Sequence, residues 1–154
     1  MNPDTFEVVE KTVKPLMVAS IRFKGKYGDC SKAFSQLGRS MGRRIAGHFF
    51  NLYYDKGYQE NDADIESCVP ISRPVEIEGI PIRTLPAIHC LSLLHRGPYD
   101  EVGPTYEKLR ACAREKNLKL TIPCREIYLK GPGMFFKGNP KKYLTEVQIP
   151  IAEA

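Results

Sequence analysis

Apolar and polar positions along the chain switch between two periods. Residues 6–13 and 16–24 alternate as half-buried strands do. From residue 30 the period lengthens. Cys30, Phe34, Leu37, Met41 and Ile45 recur at helical spacing, which predicts a helix over 31–46 with Ser31 as its N-cap. Alternation returns at 48–54 and 64–71. The order then repeats: strands at 75–84 and 87–95, a helix at 104–117, and strands at 124–130 and 143–151. The second helix carries Tyr106, Leu109 and Ala113 on one stripe. Pro104 suits its first turn, where a missing N–H costs nothing.

The repetition extends to residue identities. Residues 16–37 lie over residues 88–109, with Ser20 on Ser92, Gly25 on Gly97, Tyr27 on Tyr99 and Leu37 on Leu109. Like-for-like pairs fall between them, including Lys24 with Arg96, Asp29 with Glu101, and Phe34 with Tyr106. Further on, Leu52-Tyr53-Tyr54 lies over Ile127-Tyr128-Leu129, and Val69-Pro70-Ile71 over Ile149-Pro150-Ile151, which brings Glu66 over Glu146. The offset grows only between elements, as loop insertions would make it. A repeat of this length exceeds a solenoid unit and points to two fused modules about a pseudo-twofold axis. The expectation is an α+β fold of antiparallel strands with one main helix per module and a ligand groove between the modules. All of it forms a single domain over 1–154, with module one at about 6–72, module two at about 75–151, and a seam at 72–74.

Composition narrows the function. A chain of 154 residues, 42% of them hydrophobic, buries a core without disulfide or metal staples. It holds no apolar run long enough to span a bilayer, and its first ten residues lack the pattern of a signal peptide. The net charge is +5, spread thinly, with no zinc-finger, helix-turn-helix or RNP signature. The expected partners therefore include neither nucleic acid nor membrane. Five cysteines without a CxxC pair argue for a reduced, cytoplasmic protein and against a metal site. No metal or cofactor is expected. His89 and His95 alternate onto one strand face, where Met17 and Phe23 are their first-module counterparts, and read as core or edge histidines. Residues 131–140 read as a long hairpin loop, with Phe135 and Phe136 as a lid.

Strand faces locate the candidate chemistry. Over 124–130, Arg125, Ile127 and Leu129 form a mostly apolar face that suits the helix side. Cys124, Glu126 and Tyr128 form an amphipathic face, matched in module one by Phe49, Asn51 and Tyr53. In the last strand, Glu146 and Gln148 lie opposite a core face of Val147, Ile149 and Ile151. If the amphipathic faces meet, they enclose a groove of rings with Glu126 near its centre. Such a groove would attract hydrophobic molecules, cationic ones among them, through ring area, cation–π contact and one carboxylate.

These features resemble the GyrI-like family, which includes the effector-binding domains of multidrug-responsive transcription activators and their free-standing relatives. The resemblance rests on the Arg96-Gly97-Pro98-Tyr99 turn, the Arg125-Glu126-Ile127-Tyr128 strand and the closing Glu146-Val147-Gln148-Ile149-Pro150-Ile151 strand, and covers nearly the whole chain. It implies a glutamate contacting cationic drugs at Glu126, a ring at Tyr128 and a tyrosine at Tyr143. With Tyr53, Phe49, Asn51, Tyr99 and Glu146 these form the expected ligand set. The fold begins within the first ten residues, so the chain is expected to be free-standing, without the DNA-binding segment of the regulators. The resemblance also implies two alternatives. One is a hydrolase of cyclopropane-bearing electrophiles using Glu126 as base and Tyr128 or Tyr99 as donor. The other is a protein-protein modulator such as a gyrase inhibitor, which keeps a protein partner open.

Overall fold

Two short links containing proline, Lys14-Pro15 and Pro86-Ala87, decide how the chain is divided. Two-residue hairpins need positive φ at their centre, which proline cannot adopt. In a computed structural model of the chain, which describes residues 6–131 and 138–153, neither link folds its strand back on the next one. Phe135 and Phe136 lie outside the described residues. Strand β1 (Val9–Val13) lies beside β6 (Ile88–Arg96), and β5 (Ile82–Leu85) pairs antiparallel with β2 (Leu16–Gly25). Two compact units result. Val13–Ile88 forms one, here the amino unit. His89–Ala154 with Met1–Thr12 forms the other, the carboxyl unit. The linear halves 6–72 and 75–151 differ from these units at their leading strands, which are exchanged.

The fold is α+β, with eight strands and two main helices among the described residues. In the amino unit the strand order is β3 (Phe50–Tyr53), β4 (Ala63–Pro70), β2, β5, with α1 (Cys30–Met41) packed on β4 and β2. Ala19, Leu37, Met41, Val69 and Ile71 form its core. In the carboxyl unit the order is β1, β6, β8 (Leu144–Pro150), β7 (Cys124–Lys130), with α2 (Gly103–Glu115). Leu91, Leu93, Leu109, Ala113, Val147 and Ile149 form its core. The stripes read from the sequence therefore do bury Leu37, Met41, Leu109 and Ala113.

The helices end earlier than the periodicity predicts. Gly42 adopts φ +51, closing α1 at Met41 before a single 3₁₀ turn. A left-handed φ at Asn117 stops the chain just past α2. The N-cap position of α1 belongs to Asp29 rather than Ser31, whose hydroxyl instead donates to the carbonyl of Gly28 at 3.2 Å. The strand predicted over 75–84 shortens to β5, because 77–80 form a turn with Gly79 at φ +82.

Duplication also persists in the polar contacts. Glu66 on β4 is almost fully buried and accepts from Arg83 of β5 at 2.5 and 3.0 Å and from Tyr54 at 2.5 Å. Its second-module counterpart, Glu146, pairs with Lys11 of β1 and accepts from Ser92 and Gln148 at 2.8 Å each. Each exchanged strand thus brings one cation to one glutamate. Burial pushes both carboxyls up, but the hydrogen bonds outweigh it and hold both below the usual carboxylate range. The Tyr54 phenol, buried against Glu66, is pushed up to about 12.

Arg83→Met should leave Glu66 ionised and unmatched, costing about 1–3 kcal/mol at neutral pH. A carboxyl held low stabilises the fold above its unfolded pKa and loses that contribution as pH falls through the folded one. The cost of Arg83→Met should therefore shrink in acid. Urea titrations of both proteins at neutral and acid pH check this; a cost that stays constant would deny the pairing its role.

Candidate functional site

Register decides which way β7 faces. Glu126 lies opposite Val147, and Tyr128 opposite Thr145. Directly opposed residues share a sheet face, and Val147 belongs to the core that α2 covers. Cys124, Glu126 and Tyr128 therefore lie on the helix side, and Arg125 and Ile127 share the other face with Gln148 and Glu146. This reverses the assignment made from apolarity. Ile127 and Leu129 are the more apolar set, yet α2 contributes a hydroxyl that makes a carboxyl acceptable beneath it.

That hydroxyl belongs to Tyr106. It donates to Glu126 Oε2 at 2.5 Å, while Tyr128 donates to Oε1 at 3.2 Å. Glu126 is only 9% exposed. Burial pushes its carboxyl above the usual range, against the two phenol hydrogen bonds, which favour the ionised form, and a smaller electrostatic contribution from His95. Around this pair the rings assemble. Tyr99 meets Tyr128 edge-on at 5.2 Å and stacks on Tyr143 at 5.1 Å. Tyr143 is buried, whereas Tyr99 is 37% exposed. Beside Glu126 on the same face, the Cys124 thiol is pushed up to about 11 by burial, so it is neutral and no nucleophile.

Four of the expected ligand residues thus come together in the carboxyl unit: Glu126, Tyr128, Tyr99 and Tyr143. Glu146 does not join them. It sits on the opposite face of the sheet, with its charge met by Lys11. Tyr106 was legible in the sequence only as a core position. Its one signal was the pairing with Phe34, which lacks the hydroxyl.

In the amino unit the matching strand shows the same plan without the charge. Asn51 and Tyr53 lie opposite Ser67 and Ile65, on the α1 side. Asn51 is fully buried; its Oδ1 accepts from Ser67 at 2.6 Å and its amide donates to the Tyr53 hydroxyl at 3.0 Å. Tyr27 meets Tyr53 edge-on at 5.7 Å, as Tyr99 meets Tyr128. Phe34 packs on Phe49 at 5.3 Å. Asn51 stands where the carboxyl unit has Glu126, and Phe34 where it has Tyr106.

Among the described residues no group of three or more His, Cys, Asp or Glu is placed to hold a metal ion. No described helix is long and apolar enough to cross a membrane.

The family model of the GyrI-like small molecule binding domain matches residues 6–152. Among solved structures, the C-terminal domain of EcmrR superposes with a TM-score of 0.82 at 26% identity, over 97% of this chain and 99% of that one. EcmrR in its complex with DNA superposes with a TM-score of 0.84 at 25% identity, over 97% of this chain. This chain spans 58% of that EcmrR chain. A hydrolase from Listeria innocua shares the fold, with a TM-score of 0.70 at 16% identity over 97% of this chain and 92% of that one. No curated protein sequence matches significantly.

A carboxyl whose folded pKa is raised costs stability as pH climbs from its unfolded value to its folded one. Glu126→Gln keeps an acceptor for Tyr106 and removes that cost. The variant should melt with wild type in acid and above it at neutral pH, read by thermal unfolding across that range. A lower melting temperature at neutral pH would show that the carboxylate stabilises the fold instead.

Proposed function

The chain belongs to the GyrI-like small-molecule-binding family, and on that premise we propose that it binds hydrophobic aromatic compounds, preferring cationic ones, at Glu126. The observation that carries this reading is a carboxyl buried among tyrosines in one unit, where the other unit manages the same position with a neutral amide. Folding alone does not require the acid there. Glu126 is the charged anchor. Tyr106 and Tyr128 hold its two oxygens, and Tyr99 and Tyr143 supply ring area. In the amino unit, Tyr53 and Phe49 around Asn51 offer aromatic surface without charge.

Energetics favour a cation. Charges about 4 Å apart attract by about 4 kcal/mol at an effective dielectric of about 20, and ring faces add about 0.5–2 kcal/mol. Glu126 must ionise to gain the first contribution. Because burial raises its pKa, affinity for a cation should rise with pH through its titration.

The same carboxyl supports a second reading, as a hydrolase of strained cyclopropane rings. A base with a raised pKa takes a proton from water more readily. The water oxygen then bonds to a ring carbon and the strained C–C bond breaks. Its electron pair goes to the departing carbon, which receives the proton back from Glu126. Binding without turnover would favour the first reading.

Fluorescence anisotropy with rhodamine 6G, a cationic dye, and fluorescein, an anionic dye of the same skeleton, tests the proposal. Wild type should prefer rhodamine 6G, increasingly so at higher pH. Glu126→Gln should lose about tenfold in affinity, or about 1.4 kcal/mol, together with the pH dependence. Equal binding by both proteins would remove Glu126 as the anchor.

A further inference from the structure

The duplication supplies an internal control for each buried polar side chain. Some core positions match between the units, Leu37 with Leu109 and Val69 with Ile149 among them. Near Glu126 they part in a concerted way. His95 replaces Phe23, Thr105 replaces Ala33, Tyr106 replaces Phe34 and Glu126 replaces Asn51. The amino unit fills the first three of these places with two rings and a methyl group and the fourth with the neutral amide of Asn51, so the strand, turn and helix need neither the imidazole, the two hydroxyls nor the carboxyl there. All four polar residues nonetheless occur in one unit, on one side of its sheet.

His95 and Thr105 are linked to each other and to the turn before α2. His95 is 8% exposed. Its Nε2 lies 3.0 Å from the carbonyl oxygen of Pro98 and its Nδ1 lies 3.1 Å from Thr105 Oγ1. A carbonyl only accepts, so Nε2 carries a proton and donates it, while Nδ1 and the Thr105 hydroxyl share the second hydrogen bond. Each of these partners is one residue from a ring of the site. Pro98 precedes Tyr99, and Thr105 precedes Tyr106. Just before Pro98, Gly97 has φ +129, a backbone conformation that residues with a side chain rarely adopt.

We infer that His95 is a positioning residue for the Glu126 site: through Pro98 it sets the ring of Tyr99, and through Thr105 it sets the hydroxyl of Tyr106. This goes beyond the binding reading and rests on it only for its ligand readout. Without the imidazole, the first turn of α2 and the 97–99 turn lose their shared tie, and the short Tyr106–Glu126 hydrogen bond loses its alignment.

The test uses the full chain labelled with [¹³Cζ]tyrosine, with the Tyr106 resonance assigned from Tyr106→Phe. The Cζ shift reports the hydrogen bond to Glu126 and needs no ligand. The double variant His95→Phe with Thr105→Ala installs the pair the amino unit already tolerates. It should stay folded, move the Tyr106 resonance toward that of a water-exposed phenol, and weaken rhodamine 6G binding about tenfold. His95→Gln, whose amide can still donate to Pro98, should restore most of both. Thr105→Val, a smaller change that keeps the helix intact, should shift the Tyr106 resonance on its own. An unchanged Tyr106 resonance in both the double variant and Thr105→Val would overturn the inference. Wild type binding rhodamine 6G no better than Glu126→Gln would instead sink the binding proposal and leave the resonance result to judge His95.

Discussion

A carboxyl group held out of water by tyrosine hydroxyls is the constraint on which the carboxyl unit is organised. Glu126 would be a liability under α2 if its oxygens were not met. Tyr106 meets one and Tyr128 the other. Their rings in turn need neighbours, which Tyr99 and Tyr143 provide. The helix, the turn before it and the strand beneath it are therefore tied to one acid. The amino unit shows what the same framework does without that demand: Asn51 satisfies its amide with Ser67 and Tyr53, and Phe34 needs no partner for a hydroxyl.

The two carboxylates aligned by the repeat tell a different story. Glu66 and Glu146 both face away from the helix of their unit, and each takes its cation from an exchanged edge strand. Their hydrogen bonds keep them ionised, whereas burial keeps Glu126 inclined to hold its proton. One kind of acid ties strands together and has its charge spent in doing so. The other has its charge in reserve. Three glutamates on one framework thus divide by environment and not by residue type.

Much of this was open to a reader of the residues. The repeat predicted both helices, their buried stripes and the eight strands. It also brought Tyr27 and Tyr99, and Asn51 and Glu126, into equivalent places. The faces of β7 were misread because alternation says which residues share a side but not which side is covered; Ile127 and Leu129 look like the buried set until Tyr106 appears above Glu126. Glu146 was grouped with Glu126 for the same reason, although the pairing of Ile127 with Glu146 sets them on opposite faces. Strand exchange was invisible because periodicity does not name a strand's partner, and the prolines at 15 and 86 were its only trace. His95 looked like an ordinary core histidine, since the significance of Phe23 at the equivalent position depends on knowing that Thr105 and Pro98 lie within reach of its nitrogens.

The exchanged edge strands also bear on how the protein is made. During synthesis β1 emerges first, but its partner β6 begins only at Ile88. The amino unit likewise lacks its outermost strand until β5 has left the ribosome, after residue 85. For about half of translation, then, the nascent chain carries an unpaired leading strand whose Glu10, Lys11 and Thr12 keep it polar. The amino unit holds all of its strands by residue 85, so its sheet can close while β1 still waits for β6.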